Sequence, residues 1–354
     1  MLGEYFSPVL SCLEAIEGNE ALKAYTDAIV SYLYAHSLEE AGALPIELPR
    51  DAAVKPYYLL TVLCALIPRG IEEYRARGFS EEEIHTLLDR DIRERVALAE
   101  GFSGEKGLPR GAFGWLMHYA TAQIFRAGIF NITPRRLRSY EPAILLRNKE
   151  SGAYAVVLTR GDFHRSGMTL GSGGCKDAEG AFDADFCESE DAFVGRRIAD
   201  GLATPETVTY PKRLWEVIAK EGDGIVGIHI PRGAALTKGN VLESFESALK
   251  LSRERYPEVN VRAIHCATWM LDPQLKTLVG EESKLAGFLN CFLKYPVGGD
   301  GSAVYYFVFQ TKTEELSALP ENTTLQRKIK SLYLDGGCIY INGGFVADDA
   351  FVVR

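Results

Sequence analysis

The 354-residue sequence has no excess of positive charge: 39 lysines and arginines stand against 48 aspartates and glutamates, for a formal net charge of −9. No long basic stripe exists to neutralise phosphates, which argues against a nucleic-acid partner. The chain also lacks a bilayer-length apolar run. Its longest, Tyr57 to Pro68, is about half the ~20 residues a spanning helix needs and is bracketed by Lys55 and Arg69. No membrane partner is therefore expected. The seven cysteines form no paired framework, and Met1 to Asn19 has no charged-then-apolar leader, so a reducing, cytoplasmic setting is expected. No repeat period or low-complexity block is present, which sets aside solenoids and disordered arms.

Metal and nucleotide signatures are missing as well. His85 and Asp89 have i, i+4 spacing, but no third ligand follows. Cys175 and Cys187 flank an acidic, glycine-rich stretch without a C-x-x-C or a nearby histidine. Gly171-Ser172-Gly173-Gly174 has no following Lys-Ser/Thr and is not a P-loop. No metal is expected.

What is present divides into two halves. At 354 residues the length suits two domains better than one. Residues 1–134 read as a helical domain, with segments at Glu4–Glu17, Asn19–His36, Lys55–Arg77, Ser80–Glu100 and Ala112–Ala127 separated by Gly and Pro. The fourth is clearest: Ser80 with Glu83 makes a capping box, and Ile84, Leu87, Leu88, Ile92 and Val96 form an apolar stripe. Residues 135–354 read as mixed α and β. Ala143–Arg147 and Tyr154–Thr159 predict a hairpin, 166–185 an exposed mobile loop, and Trp215 a short helix. Ala303–Gln310 predicts an internal strand, and 338–342 with 345–353 a terminal hairpin around Gly343-Gly344. The fold class is α+β.

The stretch 225–271 carries most of the functional signal. Ile225 to Pro231 is short and β-branched, with Ile228 and Ile230 on one face and Gly227 and His229 on the other. A small-residue loop follows, then a helix with Val241, Leu242, Phe245, Ala248, Leu249 and Tyr256 on one stripe, then a strand from Val261 to Leu271 stopped by Asp272-Pro273. Such a unit predicts a right-handed crossover between parallel strands, with the loop after the first strand at a ligand-binding position.

These residues resemble a known family. The stretches are Gly227-Ile228-His229-Ile230-Pro231, then Ser244 and Ala248, then Cys266 through Leu275, then Ser283, Phe288 and Phe292, with Val194 to Ile198 and Trp215. They are similar to bacterial acyltransferase-domain proteins in which a helical N-terminal N-acyltransferase domain precedes a GNAT-like domain, a mixed β-sheet flanked by helices. In that family histidine is common at the position of Ala267 and serine at that of Thr268. The resemblance implies acetyl-CoA or another acyl-CoA as co-substrate, held on Ile230, Pro231, Arg232, Gly233, Ala234, Ala235, Leu236, Lys238 and Asn240. Backbone N–H groups, a helix N-terminus and the charges of Arg232 and Lys238 all favour a pyrophosphate there. The acceptor would be an amine on a small molecule or peptide, and an oligomer is compatible with this reading.

Direct acyl transfer to an amine needs a base for the ammonium, a polariser for the thioester carbonyl and an acid for the leaving thiolate. His229 and His265, on adjacent strands, are candidate catalytic residues, and Tyr295 is a candidate acid. The simpler reading of each histidine is a core residue satisfied by a backbone carbonyl. Trp269, Asp272 and Ser244 are candidate substrate contacts; their simpler roles are packing, strand termination with capping, and close approach of helix to sheet. Two rival functions stand beside N-acyltransfer. One is a non-catalytic acyl-CoA or peptide-binding protein on a degenerate GNAT fold. The other is a cysteine hydrolase, which requires Cys266 to be exposed and paired with a histidine from another strand.

Overall fold

The computed structural model describes residues 2–36, 46–52, 54–313, 315–346 and 351. The chain forms two compact units, Met1–Phe125 with Gln310–Lys312, and Arg126–Phe309 with Thr313–Arg354.

The first unit holds five described helices: α1 (Phe6–Glu17), α2 (Glu20–Ala35), α3 (Tyr58–Ala76), α4 (Glu81–Ser103) and α5 (Arg110–Ala120). The capping box forms as the sequence predicts, with Glu83 N donating to Ser80 Oγ at 3.2 Å and Ser80 N to Glu83 Oε2 at 2.8 Å. Ile84, Leu87, Leu88, Ile92 and Val96 are buried along the stripe of α4. The fifth helix stops at Ala120 instead of continuing to Ala127. Ala122 takes a left-handed φ of 49°, and Phe125–Ala127 becomes strand β1.

The second unit is built on a six-stranded sheet ordered β1-β2-β11-β12-β14-β13. Its members are β2 (Phe130–Arg136), β11 (Gly224–His229), β12 (Val261–Thr268), β13 (Phe292–Gly298) and β14 (Ile341–Val346). Helix α6 (Lys238–Arg255) connects β11 to β12, which pair in parallel as expected; β2–β11, β12–β14 and β14–β13 pair antiparallel. Alternation along the strands assigns the two faces. Ile225, Ala263, Tyr295 and Phe345 pack with Leu145, Val156 and Ile218 of a second sheet, β10-β3-β4 (Trp215–Ala219, Ala143–Asn148, Tyr154–Leu158). On the helix side, the Phe245 ring of α6 meets Phe130 at 5.7 Å and Phe292 at 5.8 Å. Short helices α7 (Gln274–Val279) and α8 (Lys284–Leu289) follow β12.

Four local expectations are corrected. Trp215 opens β10, antiparallel to β3, because its indole packs edge-on against Tyr210 at 5.1 Å on the sheet surface. The apolar run at Ala303–Gln310 is helical over Ser302–Val304 and Tyr305–Phe309. Tyr305 and Phe309 bury their rings against Tyr333 of α9 (Thr324–Leu334) at 5.8 and 6.2 Å, so packing on a helix overrides β propensity. Residues 166–185 are not a free loop: Met168, Ser172 and Cys175 are buried, and Ala203 N donates to Gly167 O at 2.9 Å. At the C-terminus β14 runs straight through Gly343-Gly344, so these glycines are not a turn. The rest of the expected second arm, 347–350 and 352–353, lies outside the described residues.

The longest hairpin of the second unit's described residues lies between Ala192 and Pro211. β8 (Ala192–Ala199) and β9 (Leu202–Pro211) meet at a two-residue Asp200-Gly201 turn, with φ of 48° and 86°. An Asp-Gly pair supplies the two positive φ values that a type I′ hairpin turn requires. With β7 (Cys187–Glu188) they form a third sheet, while β5 (Asp162–Phe163) and β6 (Phe182–Asp183) form a two-stranded ribbon.

Gly343 is set by a ring. A Cβ there would lie 2.3 Å from Tyr295 Cζ, so the missing side chain lets the phenol lie flat across β14. Gly343→Ala is expected to lower stability by about 1–3 kcal/mol, because a buried aromatic ring has no alternative space. Gly287→Ala, in an exposed turn of α8 with open space around it, should raise stability by about 0.5–1 kcal/mol. Urea midpoints compare the two; equal shifts would contradict the assignment.

Candidate functional site

The parallel ladder between β11 and β12 covers Gly224–Gly227 against Val261–His265 and then stops. Both strands run on. β11 continues to His229 paired with Asn131 of β2, and β12 continues to Thr268 paired with Asn342 of β14. Each strand is held by its outer neighbour while the two lose each other, which leaves a gap in mid-sheet. Cys266 Sγ is the tie across it, donating to Ile228 O at 3.4 Å.

Register places the candidate groups on one face. Gly227 is opposite His265, so His229 aligns with Ala267; Ala267 pairs Gly343, and Gly343 pairs Tyr295. His229, Ala267, Gly343 and Tyr295 therefore form one row across four strands. Of the two inner positions, Ala267 is exposed and carries only a methyl group, while the space over Gly343 is taken by the buried Tyr295 ring. The row is a shallow trough with a half-buried imidazole at one end and a phenol at the other. His229 Nε2 is 3.0 Å from Thr133 Oγ1, and Gly227 leaves room for that contact, since a Cβ there would stand 2.5 Å from the same hydroxyl.

Beside the trough, on the same face of the sheet, lies a buried polar chain. Arg135 donates to both Glu141 oxygens at 2.7 and 2.6 Å. His265 Nδ1 lies 3.5 Å from Glu141 Oε1, and His265 Nε2 lies 2.7 Å from Tyr295 OH. Burial alone would raise the Glu141 carboxyl, but the hydrogen bonds of Arg135, the neighbouring His265 and the Arg138 amide hold it below its ordinary value. Burial drives the His265 imidazole down to about 4, against the pull of Glu141 and with the help of Arg135, so the ring is neutral near pH 7. A neutral ring with Nδ1–H toward Glu141 leaves Nε2 to accept from the Tyr295 hydroxyl. Burial also raises the Tyr295 phenol well above its ordinary value. Tyr295 sits mid-strand in β13. Thr133, Arg135 and Glu141 were not singled out from the sequence; only the closed sheet brings them to this face.

The loop after β11 leaves donors open. Ala234 N bonds Pro231 O and Thr237 N bonds Ala235 O, while the N–H groups of Gly233, Ala235, Lys238 and Gly239 make no hydrogen bond among the described residues. Thr237 caps α6 through its Oγ1, accepting from Asn240 N at 3.4 Å, and Asn240 Nδ2 donates to Ala235 O at 3.0 Å. Arg232 and Lys238 are exposed beside these donors, Ile230, Pro231 and Ala234 are half-buried, and Leu236 is buried beneath them.

The remaining candidates stand apart. Ser244, on the buried side of α6, accepts from Ile129 N at 3.0 Å and donates to Asn240 O, which ties the helix to the β1–β2 turn. Asp272 accepts from Tyr340 N at 2.7 Å and Gln274 N at 2.9 Å. Burial pushes its carboxyl up to about 6 against the pull of those amides. Trp269 is nearly buried in the turn that follows β12. Cys266 is 2% exposed and burial pushes its thiol up to about 12. The exposed thiolate that a cysteine hydrolase requires is absent at this position.

A depressed histidine sets a pH dependence of known sign. Between about 6.5 and 4 the unfolded chain binds a proton that native His265 refuses, so stability is complete above this window and falls as pH drops through it. The full span corresponds to about 3 kcal/mol. His265→Gln should flatten the urea-midpoint slope between pH 6.5 and 5, and a slope equal to that of the parent would refute the assignment.

Against this geometry, comparison with known proteins is informative. The family model described as GNAT-like C-terminal domain matches residues 149–346. No curated protein matches the chain. Among solved structures, an acyltransferase in complex with decanoyl-CoA is similar at TM-score 0.58 and 17% identity, over 90% of this chain and 76% of that one. An acyltransferase in complex with decanoyl-CoA and teicoplanin gives 0.57 and 18%, over 91% and 75%. One in complex with CoA and 10C-teicoplanin gives 0.56 and 18%, over 91% and 75%. At these identities the likeness is one of fold. The family match takes in the parted strands, the loop and α6, and by it the chain belongs to the GNAT-like C-terminal domain family.

Proposed function

We propose that the protein is an acyl-CoA-dependent N-acyltransferase that passes an acetyl or longer acyl group directly to an amine of a small-molecule or peptide acceptor. The observation that carries this reading is the parting of β11 and β12 immediately before a loop with open N–H groups and a helix N-terminus. The gap suits a pantetheine arm, and the loop with Arg232 and Lys238 suits the pyrophosphate. The solved structures of similar fold that hold decanoyl-CoA or CoA support the same co-substrate.

In this reading His229 takes the proton from the acceptor ammonium. His229 passes that first proton to solvent; the free amine attacks the thioester carbonyl and the C–N bond forms, His229 takes the second proton from the attacking nitrogen, and as the C–S bond breaks this proton goes to the thiolate, leaving the neutral amide and the CoA thiol. Tyr295, which stays protonated, donates a hydrogen bond toward the trough or to His265; neutral, fully buried His265 acts through it as a positioning residue. Exposed Ala267 leaves room for the reacting centre beside the Tyr295 ring that covers Gly343. Ser244 contributes by fixing α6, and Asp272 and Trp269 by fixing the chain after β12.

Coenzyme A should be detected on the full chain by native mass spectrometry, and decanoyl-CoA should raise its melting temperature. Absence of binding to any acyl-CoA would remove the proposal. Replacing both Arg232 and Lys238 by Ala should weaken binding about tenfold or more, with a steeper loss at low salt than at high salt. His229→Ala should cut turnover of an amine panel by about 10²–10⁴-fold while CoA binding is unchanged. Binding without turnover in the parent chain would instead favour the non-catalytic acyl-CoA-binding reading.

A further inference from the structure

A cavity of about 520 Å³ lies at the edge of the main sheet, away from the parted strands. It is a half-open recess lined by β4, the β8–β9 hairpin and β13, and neither β11 nor β12 contributes to its lining. That volume falls in the range that holds a small organic molecule. Tyr154, Ile198, Val208, Tyr210 and Leu293 give it an apolar and aromatic wall.

Four charged side chains line it, Arg197, Asp200, Glu206 and Lys294, and a fifth, Lys276, stands just outside the lining. Arg197 and Glu206 pair with each other at 3.0 Å on the exposed rim. Deeper in, Lys294 is 9% exposed and its ammonium reaches Asp200 Oδ1 at 3.3 Å. Lys276 of α7 reaches the same oxygen at 3.7 Å. Two ammonium groups therefore share one carboxylate, and that carboxylate is 62% exposed at the tip of the hairpin turn. Burial holds the Lys294 ammonium below its ordinary value, with Asp200 opposing and Lys276 adding to the shift. The tip itself is anchored independently: Asn342 Nδ2 donates to Gly201 O at 2.8 Å, and a Cβ on Gly201 would press on Lys294 Cβ and Pro273 Cγ. The aromatic wall, the lysine pair and the single solvent-facing counter-ion form a built site for a second anion.

We propose that this sheet-edge cavity binds an organic carboxylate with an apolar or aromatic body, its carboxylate seated against Lys294, with Lys276 close by on the far side of Asp200, and its body against Tyr154, Tyr210 and Leu293. The site is separate from the acyl-CoA loop, and its test does not depend on acyl transfer. Isothermal titration of the full chain with 4-phenylbutyrate and with its neutral amide gives the direct comparison. The acid should bind about tenfold more tightly than the amide, the margin of a charge-assisted contact. Asp200→Asn, on an exposed turn that tolerates Asn, should strengthen binding of the acid by freeing both ammonium groups; Lys294→Met should erase the difference between acid and amide. Because a buried lysine variant can fail to fold, a second measurement uses the parent chain. Bound 4-phenylbutyrate should protect Lys294, and not exposed lysines such as Lys238, from acetic anhydride, as read by peptide mass spectrometry. Equal affinity for acid and amide, or labelling of Lys294 unaffected by the acid, would overturn the proposal.

Discussion

The second unit is organised by a competition for backbone hydrogen bonds. β11 and β12 are parallel neighbours, but each also has an antiparallel partner on its outer side, β2 and β14, and those ladders extend further. Buried backbone groups must be paired, so beyond Gly227 and His265 each strand follows the outer neighbour that still offers a partner. The interior pair separates after Gly227 and His265, and the Cys266 thiol takes up the Ile228 carbonyl at the point of separation. A gap in the middle of a sheet, rather than at its edge, is the result. The loop to α6 leaves from its mouth, with donors that the fold itself does not consume.

The chemistry near the gap depends on the same register. Because His229, Ala267, Gly343 and Tyr295 share a row, one face carries two functional groups separated by the smallest residues available. The polar chain beside them gives this face rigidity at an electrostatic cost. A buried ion pair is tolerated only when its remaining lone pairs and protons are satisfied. Glu141 meets that condition with two bonds from Arg135 and one from the Arg138 amide, and His265 avoids the cost by staying neutral. Glu141, held by Arg135, stands 3.5 Å from the His265 ring, whose Nε2 meets the Tyr295 hydroxyl.

Elements with strong local signals were legible before folding. The Ser80–Glu83 capping box, the α6 stripe, the 143–158 hairpin and the strand-helix-strand at 225–271 all rest on short-range periodicity or turn chemistry. The Asp200-Gly201 turn carried an equally strong signal and could have disclosed β8 and β9. Other segments misled because their environment is non-local. The run from Val304 to Phe309 has strand composition but meets the Tyr333 ring of α9, and the glycine-rich 166–185 segment is held by buried Met168, Ser172 and Cys175. Composition describes what a segment prefers alone, and packing decides what it does.

For the site, the sequence by itself determined the parallel crossover, the position of the small-residue loop at the start of α6, and the presence of His229 and His265 on adjoining strands. These follow from periods of 2 and 3.6 and from the handedness of the connection, which act within a few tens of residues. Tertiary structure alone decided where the strands part, that Tyr295 joins His265 from 30 residues away, and that Glu141 and Arg135 lie beside them. Register across a sheet and the desolvation of a charge depend on which surfaces close over which, and no local segment encodes either.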